Sequence, residues 1–250
     1  MTDDVFGDET STGNGRPGET GSDRPTIAVL DYGIGNLRSA QKALQKVGAD
    51  AHLTADPGLI KSAAGVVLPG VGAFGACMDA LHASGLDEQA RLAVASGRPF
   101  LGICVGMQML FDGSEESPDV PGLGLLPGMI GWLPDTVKRP QMQWNRLTVT
   151  VEADTVSPFV ARLLDGLDGS WMYFVHSLAA EPGDDTVATV DYGGPVVAAV
   201  GRDNMFATQF HPEKSARPGL ALLGAFVDAC RGAAGGGGGI GSPADASARV

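Results

Sequence analysis

The amino-acid sequence predicts an α/β fold in three layers, a mostly parallel central sheet flanked by helices and continued by an antiparallel extension. Three observations carry the prediction. TIAVLDYG (26–33), GVVLPG (65–70) and PFLGIC (99–104) are short apolar runs, the pattern of parallel strands buried on both faces. Between them, apolar residues recur every three or four positions, the helical period. From Arg146 onward the chain turns to short β-rich runs separated by turns, RLTVTVEA, SWMYFVHS, TVATVDYG, PVVAAVG and MFATQF, which suit antiparallel strands added to the sheet.

Taken in order, TIAVLDYG closes in a turn marked by Asp31 and Gly33. GNLRSAQKALQKVG follows with Leu37, Ala40, Leu44 and Val47 on one helical face and Gly48 as the stop signal. GVVLPG is the second strand, MDALHASG and LDEQARLAVASG read as helices, and PFLGIC runs straight into a helix opening at VGMQMLF. Alternating strands and helices imply a parallel sheet covered on both faces, with any site held by loops at the strand ends. The last helix, GLALLGAFVDAC, groups Leu220, Leu223, Val227 and Cys230 on one side, which makes Cys230 a core cysteine.

The chain has 250 residues, 44% hydrophobic and 18% charged, the composition of one ordinary globular domain with a full core. That domain is expected over residues 26–231. Residues 1–25 are rich in acids and glycine and poor in large apolar side chains, so they read as a disordered leader, and 232–250 as a glycine-rich flexible tail. Seventeen basic against 29 acidic residues give a net charge of −12, which argues against nucleic acid as a partner. Cys77, Cys104 and Cys230 are odd in number and widely spaced, which disfavours a disulfide framework or a structural zinc site. No apolar stretch approaches a membrane span, and no basic flank precedes an apolar run at the N-terminus. The expectation is a soluble protein of the reducing cytoplasm, with no membrane partner, metal or cofactor.

Three segments have the residues for chemistry. GICVGMQM (102–109) puts Cys104 at a strand end before a helix, flanked by Gly102 and Gly106. A tight turn there exposes the sulfur above the sheet, and the helix N-terminus favours its thiolate; the plainer alternative is a buried cysteine in an apolar turn. A thiolate nucleophile needs an imidazole, and the imidazole needs an orienting group. ATQFHPEKS (207–215) offers His211 with Glu213 two residues on, while Asn145 and Asp191 are rival orienters that spacing leaves open. His52 and His82 suit surface roles, and His176 in YFVHS is either a satisfied core histidine or a pocket residue. PGVGAF (69–74) is a glycine-rich strand-end loop, either a structural turn or a place where two N–H groups form an oxyanion hole.

Together these segments resemble the class I, or triad, glutamine amidotransferases, whose GxCxGxQ elbow carries the nucleophile and whose later HPE supplies base and orienter. Within the class, DYGIGNL (31–37), PGVGAF, GICVGMQMLF, QMQWN (141–145), YFVHS and QFHPEKS are similar to the glutaminase subunit of imidazole glycerol phosphate synthase, of histidine biosynthesis. The likeness spans the folded portion and neither tail.

The resemblance implies a flavodoxin-like sheet and a set of roles. Cys104 attacks the side-chain amide carbon of L-glutamine, His211 shuttles the proton to ammonia, Glu213 holds the imidazole, and water hydrolyses the γ-glutamyl thioester. Gly72 and Val105 would supply the oxyanion N–H groups, with Val71 carrying the peptide that has to flip before the hole is formed. Gln108, Glu116 and Ser177 would line the glutamine pocket, although Glu116 lies in DGSEESPD, which otherwise reads as a solvated loop. A cyclase subunit, partner in a heterodimer, would take the ammonia and make imidazole glycerol phosphate and an aminoimidazole carboxamide ribonucleotide. Asn36, Trp144, Tyr173 and Lys214 match positions at that interface. One departure stands out: Gln143 replaces the glycine of the family's MGWN, which adds strain if that glycine needs positive φ. The alternatives are a glutaminase of another ammonia-channelling synthase and a non-catalytic interaction protein on the same fold.

Overall fold

The computed structural model describes residues 24–35 and 37–235. The expected leader up to Asp23, the expected tail from residue 236, and Asn36 lie outside the described residues.

The elements in chain order are β1 (Thr26–Leu30), α1 (Leu37–Lys46), β2 (Asp50–Thr54), α2 (Pro57–Ser62), β3 (Gly65–Gly70), α3 (Phe74–Ala83), α4 (Leu86–Ala95), β4 (Phe100–Cys104) and α5 (Val105–Gln108). There follow β5 (Gly113–Ser114), β6 (Met129–Trp132), β7 (Gln141–Arg146), β8 (Thr148–Val149), α6 (Pro158–Leu164), β9 (Trp171–His176), β10 (Leu178–Ala180), β11 (Thr186–Asp191), β12 (Pro195–Arg202), β13 (Met205–Thr208) and α7 (Ala216–Gly235). Helix α7 thus continues past residue 231, where the sequence placed the domain's edge.

The main sheet has eight strands in the order β2-β1-β3-β4-β13-β12-β11-β8. Its first five are parallel and its last three run antiparallel, the extension that the β-rich second half predicts. Every residue of β3 and β4 is buried, as unbroken apolar runs require of strands covered on both faces. Helices α1, α6 and α7 pack against one another on one face and α2, α3 and α4 on the other, the arrangement that right-handed crossovers impose. Local chemistry sets the helix starts: Asp56 caps α2 by accepting from Gly58 N–H at 2.8 Å, Ser157 caps α6 by accepting from Val160 N–H at 3.2 Å, and each is followed by proline at the first helical position.

Two expectations need correction. The runs of the second half do not all join the main sheet: SWMYFVHS supplies β9, which pairs with β7 in a separate two-stranded ribbon. RLTVTVEA is split: Arg146 ends β7 and Thr148–Val149 form β8, because buried Leu147 breaks the run by donating its N–H to the Ser170 carbonyl. The helix after Cys104 is four residues long, not the seven of VGMQMLF. Its would-be continuation gives its carbonyls away: Met109 O accepts from Leu123 N–H, Leu110 O from Leu125 and Leu126, and Phe111 O from Gly124. Strong acceptors so placed for another segment cannot also serve a helix.

Candidate active site

Strand β4 lies between β3 and β13, so the ends of three segments far apart in sequence meet at one sheet edge. Gly70 pairs with Cys104 on one side, and Thr208 with Ile103 on the other. Cys104, 4% exposed, is the hinge between β4 and α5 and has φ 56° and ψ −114°. An L residue held there costs on the order of 1–3 kcal/mol, a strain that surrounding packing must hold. Close packing does hold it. A Cβ on Gly106 would lie 1.9 Å from the Leu68 carbonyl oxygen, and one on Gly102 would lie 2.9 Å from the Ala207 Cβ, so α5 rests directly on the sheet only because both positions lack side chains.

Beyond β13 the chain passes through Gln209 and Phe210 to His211, which opens a 3-10 turn at Pro212–Lys214. The loop is clamped to β9: His211 N–H donates to the Tyr173 carbonyl at 3.0 Å, Tyr173 N–H donates to Ser215 Oγ at 3.0 Å, and that hydroxyl donates to the His211 carbonyl at 2.6 Å. The His211 and Glu213 side chains are 2% and 7% exposed, with Nδ1 and Oε1 2.8 Å apart. The rival orienters are elsewhere, with Asn145 Nδ2 donating to the Asp191 carbonyl at 2.9 Å. His211 Nε2 is buried beside the Cys104 sulfur and has no other hydrogen-bond partner among the described residues. Burial alone would lower the imidazole; the adjoining sulfur and the Glu213 carboxylate outweigh it and raise the ring to about 9. His211 therefore holds its proton near neutral pH, ready to give it to a leaving group.

On the other flank, Gly72 has φ 111° and is exposed above the end of β3. The preceding carbonyl, that of Val71, accepts from the Cys77 thiol at 3.5 Å, and the Tyr32 hydroxyl donates to the Pro69 carbonyl at 2.6 Å. Burial raises the Cys77 thiol and keeps it a donor. Since a trans peptide points its C=O and N–H in opposite directions, Gly72 N–H faces away from Cys77. Val105 opens α5, so its N–H has no acceptor within the helix.

The three residues expected to line a glutamine pocket differ in what they have to offer. Both N–H groups of Gln108 are spent within the protein, on the Leu178 carbonyl at 3.1 Å and Gln209 Oε1 at 3.0 Å, so it can present only its oxygen. Glu116 is half-buried, not on a solvated loop: its carboxylate accepts from Phe74 N–H at 2.7 Å and caps α3, which has no cap of its own. Ser177 is half-buried between β9 and β10.

The remaining histidines divide as their contexts suggest. His52 and His82 are partly exposed beside Asp50 and Asp87. His176 is buried, and desolvation lowers it to about 4. Its neutral ring donates from Nδ1 to the Leu178 carbonyl at 2.8 Å, so Nε2 is an acceptor facing the Gln141 carboxamide at 2.9 Å. The amide of Gln141 must then present its nitrogen to the ring, which also gives that buried NH2 a partner. A histidine lowered on folding costs stability in acid: stability is full above about 6.5, falls as pH drops toward 4, and is level below it. Between pH 7 and 5 the loss is about 2 kcal/mol. Urea unfolding at the two pH values should show it, and His176→Gln should flatten that slope.

Sequence reasoning passed over Gln209, Ser215 and Trp171. Gln209 falls inside the runs MFATQF and QFHPEKS without a role of its own there; the other two acquire meaning only through their neighbours in space.

Residues 28–229 match the family of class-I glutamine amidotransferases. The imidazole glycerol phosphate synthase subunit HisH of Methanothermobacter thermautotrophicus is 47% identical over 206 residues, covering 82% of this chain and 99% of that protein. The HisH subunit of Dechloromonas aromatica is 48% identical over 217 residues, covering 81% and 96%. Among solved structures, a glutamine amidotransferase aligns with TM-score 0.63 at 19% identity, covering 82% of this chain and 98% of the other. PurLQS from Thermotoga maritima aligns with TM-score 0.64 at 19% identity, with the same coverage. These two share the fold.

Proposed function

This chain belongs to the class-I glutamine amidotransferases and is the glutaminase subunit of an imidazole glycerol phosphate synthase; we propose that Cys104, His211 and Glu213 perform the hydrolysis and that the ammonia passes to a separate cyclase subunit. The observation that carries the residue assignment is the buried His211–Glu213 contact of 2.8 Å beside the strained elbow of Cys104.

The Cys104 sulfur adds to the side-chain amide carbon of L-glutamine. His211 delivers its proton to the departing nitrogen, so ammonia leaves and a γ-glutamyl thioester remains. His211, now neutral, takes a proton from water as the water attacks, and glutamate departs with the thiolate restored. Glu213 stabilises the imidazolium at each stage. Both tetrahedral intermediates place negative charge on one oxygen, for which the N–H groups of Gly72 and Val105 are the proposed donors, the orientation of the Val71–Gly72 peptide deciding whether the first is available. Gln108, through its oxygen, Glu116 and Ser177 are the proposed substrate contacts.

A partner that takes up the ammonia needs a surface, and the β7–β9 ribbon offers one. Its register sets Met142, Trp144, Tyr173 and Trp171 on a common face, with Met142 62%, Trp144 44% and Trp171 54% exposed. Trp144 and Tyr173 meet edge to face at 5.9 Å. Beside them a cavity of about 520 Å³ is bordered by Lys42, Lys46 and Lys214 and reaches Glu213. Exposed aromatics and methionine with a charged rim have the composition of a protein interface. The clamp from Tyr173 to His211 runs directly beneath it. Gln143 belongs to the regular β7 ladder opposite Phe174, not at positive φ, so it brings no backbone strain.

The test is the glutaminase rate of the purified chain titrated with the cyclase subunit and its phosphorylated ribulosyl ligand. Stimulation should saturate near one-to-one, and Trp171→Ala should raise the partner concentration for half-maximal stimulation by roughly tenfold or more. A strong rate that ignores the partner would assign the ammonia to another acceptor; no rate under any condition would favour a non-catalytic role.

A further inference from the structure

Gln209 is a second carboxamide buried at the nucleophile, and the hydrolysis scheme above makes no use of it. It is fully buried in the step between β13 and His211, and its Nε2 stands 3.8 Å from the Cys104 sulfur, within reach of an N–H···S hydrogen bond. A carboxamide has a donor end and an acceptor end that can exchange places by a half-turn, so the value of the contact depends on which end faces the sulfur.

The surrounding hydrogen bonds decide it. The Leu178 carbonyl can only accept, so the end of Gln108 that meets it at 3.1 Å is the NH2. That nitrogen's second hydrogen points to Gln209 at 3.0 Å, so Gln209 presents its oxygen there. Its own NH2 is left to face Cys104. Turning Gln108 would set its oxygen against the Leu178 carbonyl, and turning Gln209 alone would set NH2 against NH2, each in a buried place and at a cost that nothing nearby offsets. A thiol sulfur is a weak acceptor and a thiolate a strong one, so this contact is strongest when the sulfur carries the charge with which it attacks.

We infer that Gln209 is a fixed hydrogen-bond donor to the nucleophile, which holds the Cys104 sulfur as an aimed acceptor, and that Gln108 is the positioning residue that keeps Gln209 in that orientation. This rests on the assignment of Cys104 as nucleophile. It gives the sulfur two partners on opposite counts: His211 supplies the proton that leaves with ammonia, and Gln209 supplies a hydrogen bond without giving up a proton, since an amide N–H does not ionise in this range.

The experiment is iodoacetamide alkylation of the full chain without glutamine or partner, with the Cys104 peptide followed by mass spectrometry. Gln209→Met, close in length and without a donor, should slow alkylation of Cys104 by about five- to tenfold and lower kcat for glutamine by a similar factor, with KM changed less than about threefold. A Gln209 that merely fills space predicts the opposite direction, because loosened packing would expose the sulfur and speed its alkylation. If Gln209→Met fails to fold by thermal unfolding, Gln209→Leu serves the same purpose. Wild-type or faster alkylation in a folded variant overturns the inference. Cys104→Ser separates the two claims: sustained glutamine turnover in that variant overturns the nucleophile and the inference together, whereas an inactive Cys104→Ser beside a fully reactive Gln209→Met overturns the inference alone.

Discussion

Cys104→Ala should lower glutamine-dependent turnover by at least about a thousandfold, while the complex with the cyclase subunit should still form product from added ammonia. The size follows from the scheme: without the sulfur there is no thioester, and His211 and Glu213 have no nucleophile to serve. The direction of the second half follows from packing. Cys104 is a small side chain at the end of β4, and alanine keeps its Cβ, so the sheet edge and the ribbon face remain intact. Product formation from glutamine and from ammonium salt, measured side by side, separates the two outcomes. Loss of both would indicate damage to the assembly, and retention of the first would remove Cys104 from the mechanism.

Gly106→Ala produces the largest expected loss of stability. Its Cβ would stand 1.9 Å from the Leu68 carbonyl oxygen, 2.8 Å from the Leu68 carbonyl carbon and 3.2 Å from that of Pro69. All three atoms are main chain of β3, which is hydrogen-bonded to strands on both sides, so no side-chain rotation relieves the collision. Either α5 lifts from the sheet or β3 bends, at a cost of about 3–5 kcal/mol. That corresponds to a fall in Tm of roughly 10 °C for a domain of this size. Glutaminase activity should fall with it, because α5 carries Val105 and follows Cys104 directly. Gly224→Ala is the control: it lies in α7 with nothing within 4 Å of the new methyl, so it should leave Tm unchanged or raise it slightly. Calorimetry of both variants decides the matter, and equal Tm values would mean that Gly106 is not a contact point.

Both results concern the strand end at Cys104, where local sequence was most informative. TIAVL, GVVLPG and FLGIC are legible because strands buried on both faces have to be apolar at every position, whatever surrounds them. The elbow is legible because only glycine fits at Gly102 and Gly106 when a helix starts against a sheet. Three residues in a row, His211, Pro212 and Glu213, put an imidazole and a carboxylate within reach of each other, and the buried 2.8 Å contact chooses Glu213 over Asn145 and Asp191, which spacing had left open.

Other features carried no local signal. Strand β2, with only Ala51 buried, is recognisable through its pairing with β1 and not through its own pattern. Helix α5 stops after four residues because carbonyls that would continue it are claimed by residues 123–126. Whether Gln143 adds strain is left open in sequence, and it proves to be an ordinary strand position once β9 is alongside. Trp171 becomes part of an exposed aromatic face only when the ribbon register brings it to the side of Trp144 and Tyr173.

The sequence by itself determined the strands of the parallel core, the cysteine at its edge and the nearness of an imidazole and a carboxylate, because each depends on burial, on steric room or on neighbours within two or three residues. Tertiary structure alone decided that β13 enters beside β4, and with it everything that spans the gap: His211 against Cys104, the Tyr173 clamp on the His211 loop, and the chain from Leu178 through Gln108 and Gln209 to the sulfur. Those contacts join residues from about 40 to more than 100 positions apart, and hydrogen bonds and charge act over a few ångströms of space regardless of how far apart the partners lie along the chain.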